Sequence, residues 1–141
     1  MGENYGVSFA HKLNEQGLWD DAIAQASKDI AHDGDDPDPF VERAVALAAK
    51  EQYLAAVTDL QKSLELDVAA QTLDTDFVDD TLFGALLGEA RKQSDVQQGL
   101  AVLARYLEIF PKGRHLQDVD IWTRRLRGDD KDAIIVKEQG G

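Results

Sequence analysis

Residues 17–23, Gly17-Leu18-Trp19-Asp20-Asp21-Ala22-Ile23, and residues 51–57, Glu51-Gln52-Tyr53-Leu54-Ala55-Ala56-Val57, decide the fold when one is laid over the other. An aromatic, a small alanine and a β-branched residue fall at matching places, and Trp19 and Tyr53 stand 34 positions apart. The same shift carries Ala10 onto Ala44, Leu13 onto Leu47, Ala22 onto Ala56 and Ile30 onto Leu64, so the register holds through both halves of a unit. A fixed period of this length marks a repeat architecture, in which no unit can bury its apolar face alone.

Within each unit, apolar residues recur at helical spacing, as in Phe9 and Leu13 and then Ala22, Ile23, Ala26 and Ile30, with polar residues on the other faces. Each unit therefore reads as two antiparallel helices. The break between the first two units is Asp33-Gly34-Asp35-Asp36-Pro37-Asp38-Pro39, where prolines suit a first turn and carboxylates suit the positive end of a helix. The pattern predicts helices near 3–16, 19–32, 38–50, 53–66, 77–93, 96–110 and 116–127. A third unit runs from Phe83, Leu86, Leu87 and Gly88 through a polar turn to Val96, Gly99, Leu100, Leu103 and Leu107, closed by Pro111. Ala10, Ala44 and Gly88 are spaced by 34 and then 44, so Val68 to Asp76 must absorb the excess. Ala69, Ala70 and Leu73 are good helix formers, which predicts an extended second helix plus a loop there.

These residues resemble tetratricopeptide repeats, whose pattern is a small and a large apolar residue in the first helix, then Gly-x-aromatic-x-x-Ala, then a proline. The likeness spans about residues 3–113, as repeats near 3–36, 37–70 and 77–113. It departs in the third, where Gly99 replaces the usual alanine and the turn is one residue short, and in the first two, which end at Gly34 and Val68 without proline. The resemblance implies an all-α fold, a right-handed superhelical stack of antiparallel helix pairs. Small residues at Ala10, Ala22, Ala44 and Ala56 let neighbouring helices approach, and Trp19 and Tyr53 fill the wedge at the turn. Leu116, Val119, Ile121, Trp122 and Leu126, with Arg124, Arg125 and Arg127, read as a capping helix over residues 116–127. Residues 128–141 read as a flexible tail, whose Ala133-Ile134-Ile135-Val136 is apolar enough to dock on this chain or a neighbour.

The chain has 141 residues, enough to bury a core without staples. It carries 27 acidic against 15 basic side chains, a formal charge of −12, which disfavours nucleic acid and anionic membrane as partners. Residues 1–75 hold 15 of the acidic and 5 of the basic groups, so that half would attract a basic segment. The absence of cysteine excludes disulfides, thiol nucleophiles and thiolate metal sites. His11, His32 and His115 share no metal-binding spacing, and the Asp33–Asp38 run lacks the order of a calcium loop. With no nucleophile elbow, phosphate loop or dinucleotide fingerprint, the expectation is a non-enzyme without metal or cofactor, soluble and cytoplasmic.

Binding is the expected activity, because stacked helix pairs curve into a groove lined by the first helix of each repeat. The resemblance assigns Val7, His11 and Asn14 to that groove from the first repeat, Val41, Val45 and Ala48 from the second, and Ala85, Glu89 and Lys92 from the third. Such a surface suits a partner's peptide with apolar anchors and a basic flank; equally, Val41 and Val45 suit the core. The carboxylate clamp of chaperone-binding repeats is absent, since the corresponding places hold Val7, His11 and Glu42, and Asp76 to Ala90 contains no lysine or arginine. Two other readings fit the same scaffold: a small acidic chaperone for a secreted or assembled client, and a self-assembly module.

Overall fold

The computed structural model describes residues 7–129, which form seven helices and no strand. They are α1 (Phe9–Glu15), α2 (Trp19–His32), α3 (Asp38–Ala49), α4 (Tyr53–Ala70), α5 (Thr75–Lys92), α6 (Val96–Ile109) and α7 (Leu116–Arg127). Each helix packs on the next, α1 also meets α3, and α3 meets α5. None is long and apolar enough to cross a membrane. The tail segment Ala133–Val136 lies outside the described residues.

The period read from the sequence reappears as backbone geometry. Between α1 and α2, Gly17 takes a left-handed φ of 75°, its N–H donates to Asn14 O at 2.9 Å, and Leu18 N–H donates to Leu13 O at 3.0 Å. Between α3 and α4, Glu51 takes φ 63°, with the same two bonds to Ala48 O at 2.9 Å and from Gln52 to Leu47 O at 2.9 Å. The two turns are one motif 34 residues apart, and its second copy holds a side chain where glycine is easier. The third turn, one residue shorter, has no left-handed residue, and Gln93 is extended. It draws α6 so near α5 that a Cβ on Gly99 would lie 2.9 Å from Ala90 O, the physical reason alanine is missing there.

The ten-residue excess is absorbed as expected. Helix α4 runs four residues beyond the predicted end, Gln71 closes it at φ 51°, and Asp67 Oδ1 accepts from Thr72 N at 2.7 Å and Leu73 N at 3.0 Å. Two helix starts differ from expectation. Ser8 accepts from His11 N at 3.0 Å and so begins α1 at Phe9, leaving Val7 outside the helix. Asp74 accepts from Phe77 N at 3.2 Å and starts α5 at Thr75, two residues earlier than predicted. The acidic run before α3 caps itself, Asp33 Oδ1 taking Asp35 N and Asp36 Oδ1 taking Asp38 N, both at 3.0 Å.

Small residues set the helix approach. Ala10, Ala22, Ala26, Ala44, Ala46 and Ala56 are buried, and Gly88 lies under the Tyr53 ring, where a Cβ would sit 2.5 Å away. The main core joins α3 to α7 through Val41, Val57, Leu60, Leu82, Leu86, Leu103, Tyr106 and Val119. A smaller cluster of Leu13, Ala22 and Ala46 with Trp19 and Ile23 ties on α1 and α2. Arg43 bridges α2, α3 and α4: Nε donates to Asp59 Oδ2 at 2.7 Å, Nη2 to Asp59 Oδ1 at 2.9 Å and Nη1 to Ser27 Oγ at 3.2 Å.

Candidate functional site

A cleft of about 260 Å³ opens where the starts of α1, α3 and α5 come together. Its apolar wall is Val41, Leu73, Phe77 and Val78, and its polar wall is Ser8, His11, Asp38, Glu42 and Asp74. Val41 and Val78 are buried and anchor the floor to the core, whereas Phe77 is 44% exposed. The capping bonds of Ser8 and Asp74 fix where the α1 and α5 walls begin.

Glu42 is the centre of the polar wall. It is buried on the side of α3 that faces α1, because Asn14 Nδ2 donates to Glu42 Oε1 and to the Glu42 carbonyl, both at 2.9 Å. His11 Nδ1 stands 3.1 Å from Glu42 Oε2, and His11 Nε2 stands 3.2 Å from Glu15 Oε2. An imidazole that meets a carboxylate at each nitrogen satisfies both only as the doubly protonated cation. Burial opposes that charge, but Glu42 and then Glu15 outweigh it, and the His11 pKa is raised above the ordinary 6.5. Asp38 is raised as well, by burial first and then by the charges of Glu42 and Asp36, with His11 acting the other way. Asn14 Oδ1 is buried with no hydrogen-bond partner, so this corner holds more acceptors than donors.

The nine residues expected to line a groove are dispersed. His11 and Val41 line the cleft, and Asn14 stands behind His11 as the buried partner of Glu42. Val7, expected on one helix face with His11 and Asn14, instead precedes the Ser8 cap, because the serine ends the helix there. Val45 and Ala48 are half-buried, Ala48 against the main core, and Ala85 is fully within that core. Glu89 accepts from Gln93 Nε2 at 2.6 Å. Lys92 fastens to the α3–α4 turn, its Nζ 3.2 Å from Glu51 O and 5.5 Å from the centre of the Tyr53 ring.

Ser8, Asp38, Glu42, Leu73, Asp74, Phe77 and Val78 are the lining residues that sequence reasoning missed. Asp74 was open to discovery, since an aspartate three residues before Phe77 is an ordinary helix cap. Glu42 was not, because its inward position depends on Asn14, 28 residues away.

A second ionisable cluster binds α5 to the segment that joins α6 and α7. The Tyr106 hydroxyl donates to buried Asp79 Oδ1 and accepts from His115 N at 3.0 Å, while Arg114 N donates to Asp79 Oδ2 at 2.9 Å. Burial first, and then the bond to Asp79, push the Tyr106 pKa up to about 12. His115 lies flat on Phe83, ring centres 4.5 Å apart, with Nδ1 2.8 Å from Asp118 Oδ2 and Nε2 2.6 Å from Asp80 Oδ1. Burial again opposes its charge, and Asp118 and Asp80 overcome it and raise its pKa. Arg114 completes the patch with Asp76 at 2.9 Å and Asp80 at 3.3 Å. Among the described residues, no group of three or more histidines and carboxylates is placed to hold a metal ion.

Compared with known proteins, the chain matches no family model, no curated protein and no solved structure.

Proposed function

We infer that this chain is a non-catalytic binding module of tetratricopeptide-like build, which holds a peptide segment of another protein in the cleft between α1, α3 and α5. The observation that carries this reading is the cleft itself, where three alternate helices contribute walls and exposed Phe77 offers an apolar surface beside a carboxylate-rich one. The stacked reading draws support from the left-handed turn repeated at Gly17 and Glu51, and from the contacts of α1 with α3 and α3 with α5. A peptide suits such a site, because apolar side chains supply burial while polar groups fix direction.

The test is selection of short random peptides, displayed on phage, against the full chain, with Phe77→Asp as the counter-selection. Phe77 is exposed enough for that change to leave the fold intact, which circular dichroism checks. Peptides enriched on the chain and lost on the variant are the expected result. A selection that enriches no sequence, or enriches the same sequences on both proteins, overturns the reading.

A further inference from the structure

We propose that the cleft between α1, α3 and α5 is a seat for a cationic side chain, a lysine or arginine of the bound segment, followed by an apolar neighbour that packs on Phe77. The proposal rests on the peptide-binding reading above and specifies its ligand. Three features carry it.

The first is charge. Asp38, Glu42 and Asp74 line one small cleft, and His11 is the only basic side chain among its lining residues. With His11 protonated and the carboxylates ionised the lining carries a charge of −2, and with His11 neutral −3. The second is hydrogen-bonding valence. Asn14 holds Glu42 Oε1 from behind, and Glu42 Oε2 faces His11 at the cleft. A guanidinium or ammonium group, all donors and no acceptor, is the complement of a carboxylate oxygen so placed. The third is the apolar wall of Val41, Leu73, Phe77 and Val78, which fits the methylene stem of a long basic side chain and the apolar residue beside it.

The geometry also gives the chain an internal competitor for that seat. His11 occupies Glu42 Oε2 when protonated, the same oxygen an incoming cation would take. The charged groups around His11 are Glu15 of α1, Glu42 and Asp38 of α3, and Asp74 at the start of α5, while on α2 Asp20 is held by Lys50 and Asp29 by Gln25. Loss of the His11 proton therefore frees Glu42, and a basic ligand binds more tightly as pH rises through the His11 pKa.

The experiment takes the strongest peptide from the selection and measures its affinity by calorimetry, alongside versions with each lysine or arginine replaced by norleucine. At one position norleucine should weaken binding about tenfold, and Asp38→Asn should weaken the basic peptide several-fold while leaving the norleucine peptide unchanged. Between about pH 5.5 and about pH 8.5, affinity of the basic peptide for the chain should rise, and for His11→Gln it should stay level. Selected peptides that lack a required basic residue would overturn this proposal and leave the peptide-binding reading standing. An Asp38→Asn effect of equal size on both peptides would overturn it too. A selection that yields nothing removes both readings.

Discussion

The two ends of the helix series solve one problem in the same way and use the solution differently. At each end a histidine is held between two carboxylates: His11 between Glu15 and Glu42, His115 between Asp80 and Asp118. The His11 side chain is 40% exposed and faces a cleft, whereas His115 is 21% exposed, lies against Phe83, and has its own N–H on the Tyr106 hydroxyl. Asp80 and Asp118 are 47% and 50% exposed, so solvent reaches carboxylates at both ends, and what sets the second ring apart is its stack on Phe83 and its backbone bond to Tyr106. An ion pair open to solvent contributes little to stability, while packed rings and buried hydrogen bonds are costly to break. The proposed binding reading gives His11 to exchange with a ligand, whereas the contacts of His115 fasten the segment before α7 to α5.

Changing one carboxylate in each cluster tests this contrast most severely. Asp79→Ala should destabilise the chain by about 3 kcal/mol in urea unfolding, since it strands the Tyr106 hydroxyl and Arg114 N–H. Asp38→Asn at the cleft should move stability by no more than about 0.5 kcal/mol, because it removes a carboxylate its surroundings already disfavour. Equal losses would mean that the cleft is as structural as the fastening.

The histidines give the next largest contrast. His115→Gln should cost about 1–2 kcal/mol, and His11→Gln at most about 0.5 kcal/mol, both read from denaturant midpoints at about pH 6. Each folded-state pKa is raised, so the folded chain holds these protons more firmly than the unfolded chain does. Their stabilisation is therefore complete below about 6.5, the ordinary histidine value, and is lost as pH rises through the folded values. A plot of melting temperature against pH should fall across that window, and His115→Gln should remove most of the fall. Tyr106 adds a separate loss of the same sign between the ordinary value of about 10 and its raised value of about 12, absent from Tyr106→Phe.

The smallest effect lies at the α3–α4 turn, which copies the one between α1 and α2. Glu51 holds φ 63° where the first copy has Gly17, so Glu51→Gly should gain about 0.5 kcal/mol at most, and Gly17→Ala should lose about 1 kcal/mol. Thermal unfolding of both variants separates backbone strain from the loss of contacts.

What was legible in the sequence was whatever a local pattern encodes. The apolar period placed all seven helices, and Ala69 and Ala70 foretold the lengthening of α4. The start of α1 was misjudged because Phe9 and Leu13 define a face without saying where it begins, and Ser8 decides that through a single hydrogen bond. The candidate site was far less legible. His11 and Val41 were found because they fall on the expected face of α1 and α3. Glu42, one position along from Val41, stands at a place the resemblance gives to the carboxylate clamp, but its inward side chain depends on Asn14 from another helix. Phe77 and Val78 reach the cleft only because α4 overruns and the Asp67-tied loop sets the start of α5, a consequence of tertiary geometry that no window of sequence contains.

The tryptophans convert this layout into something that can be watched. Trp19 opens α2 and packs with Leu13, Ala22 and Ile23, while Trp122 in α7 has the guanidinium groups of Arg91 and Arg125 each 5.0 Å from its ring centre. The sequence has no third tryptophan. A cation held against an indole shifts its emission, so loosening of α7 from α5 changes the colour of Trp122 and leaves Trp19 as it was. With Trp19→Phe or Trp122→Phe in hand, each end of the molecule reports its own opening by light, in ordinary buffer and without a label.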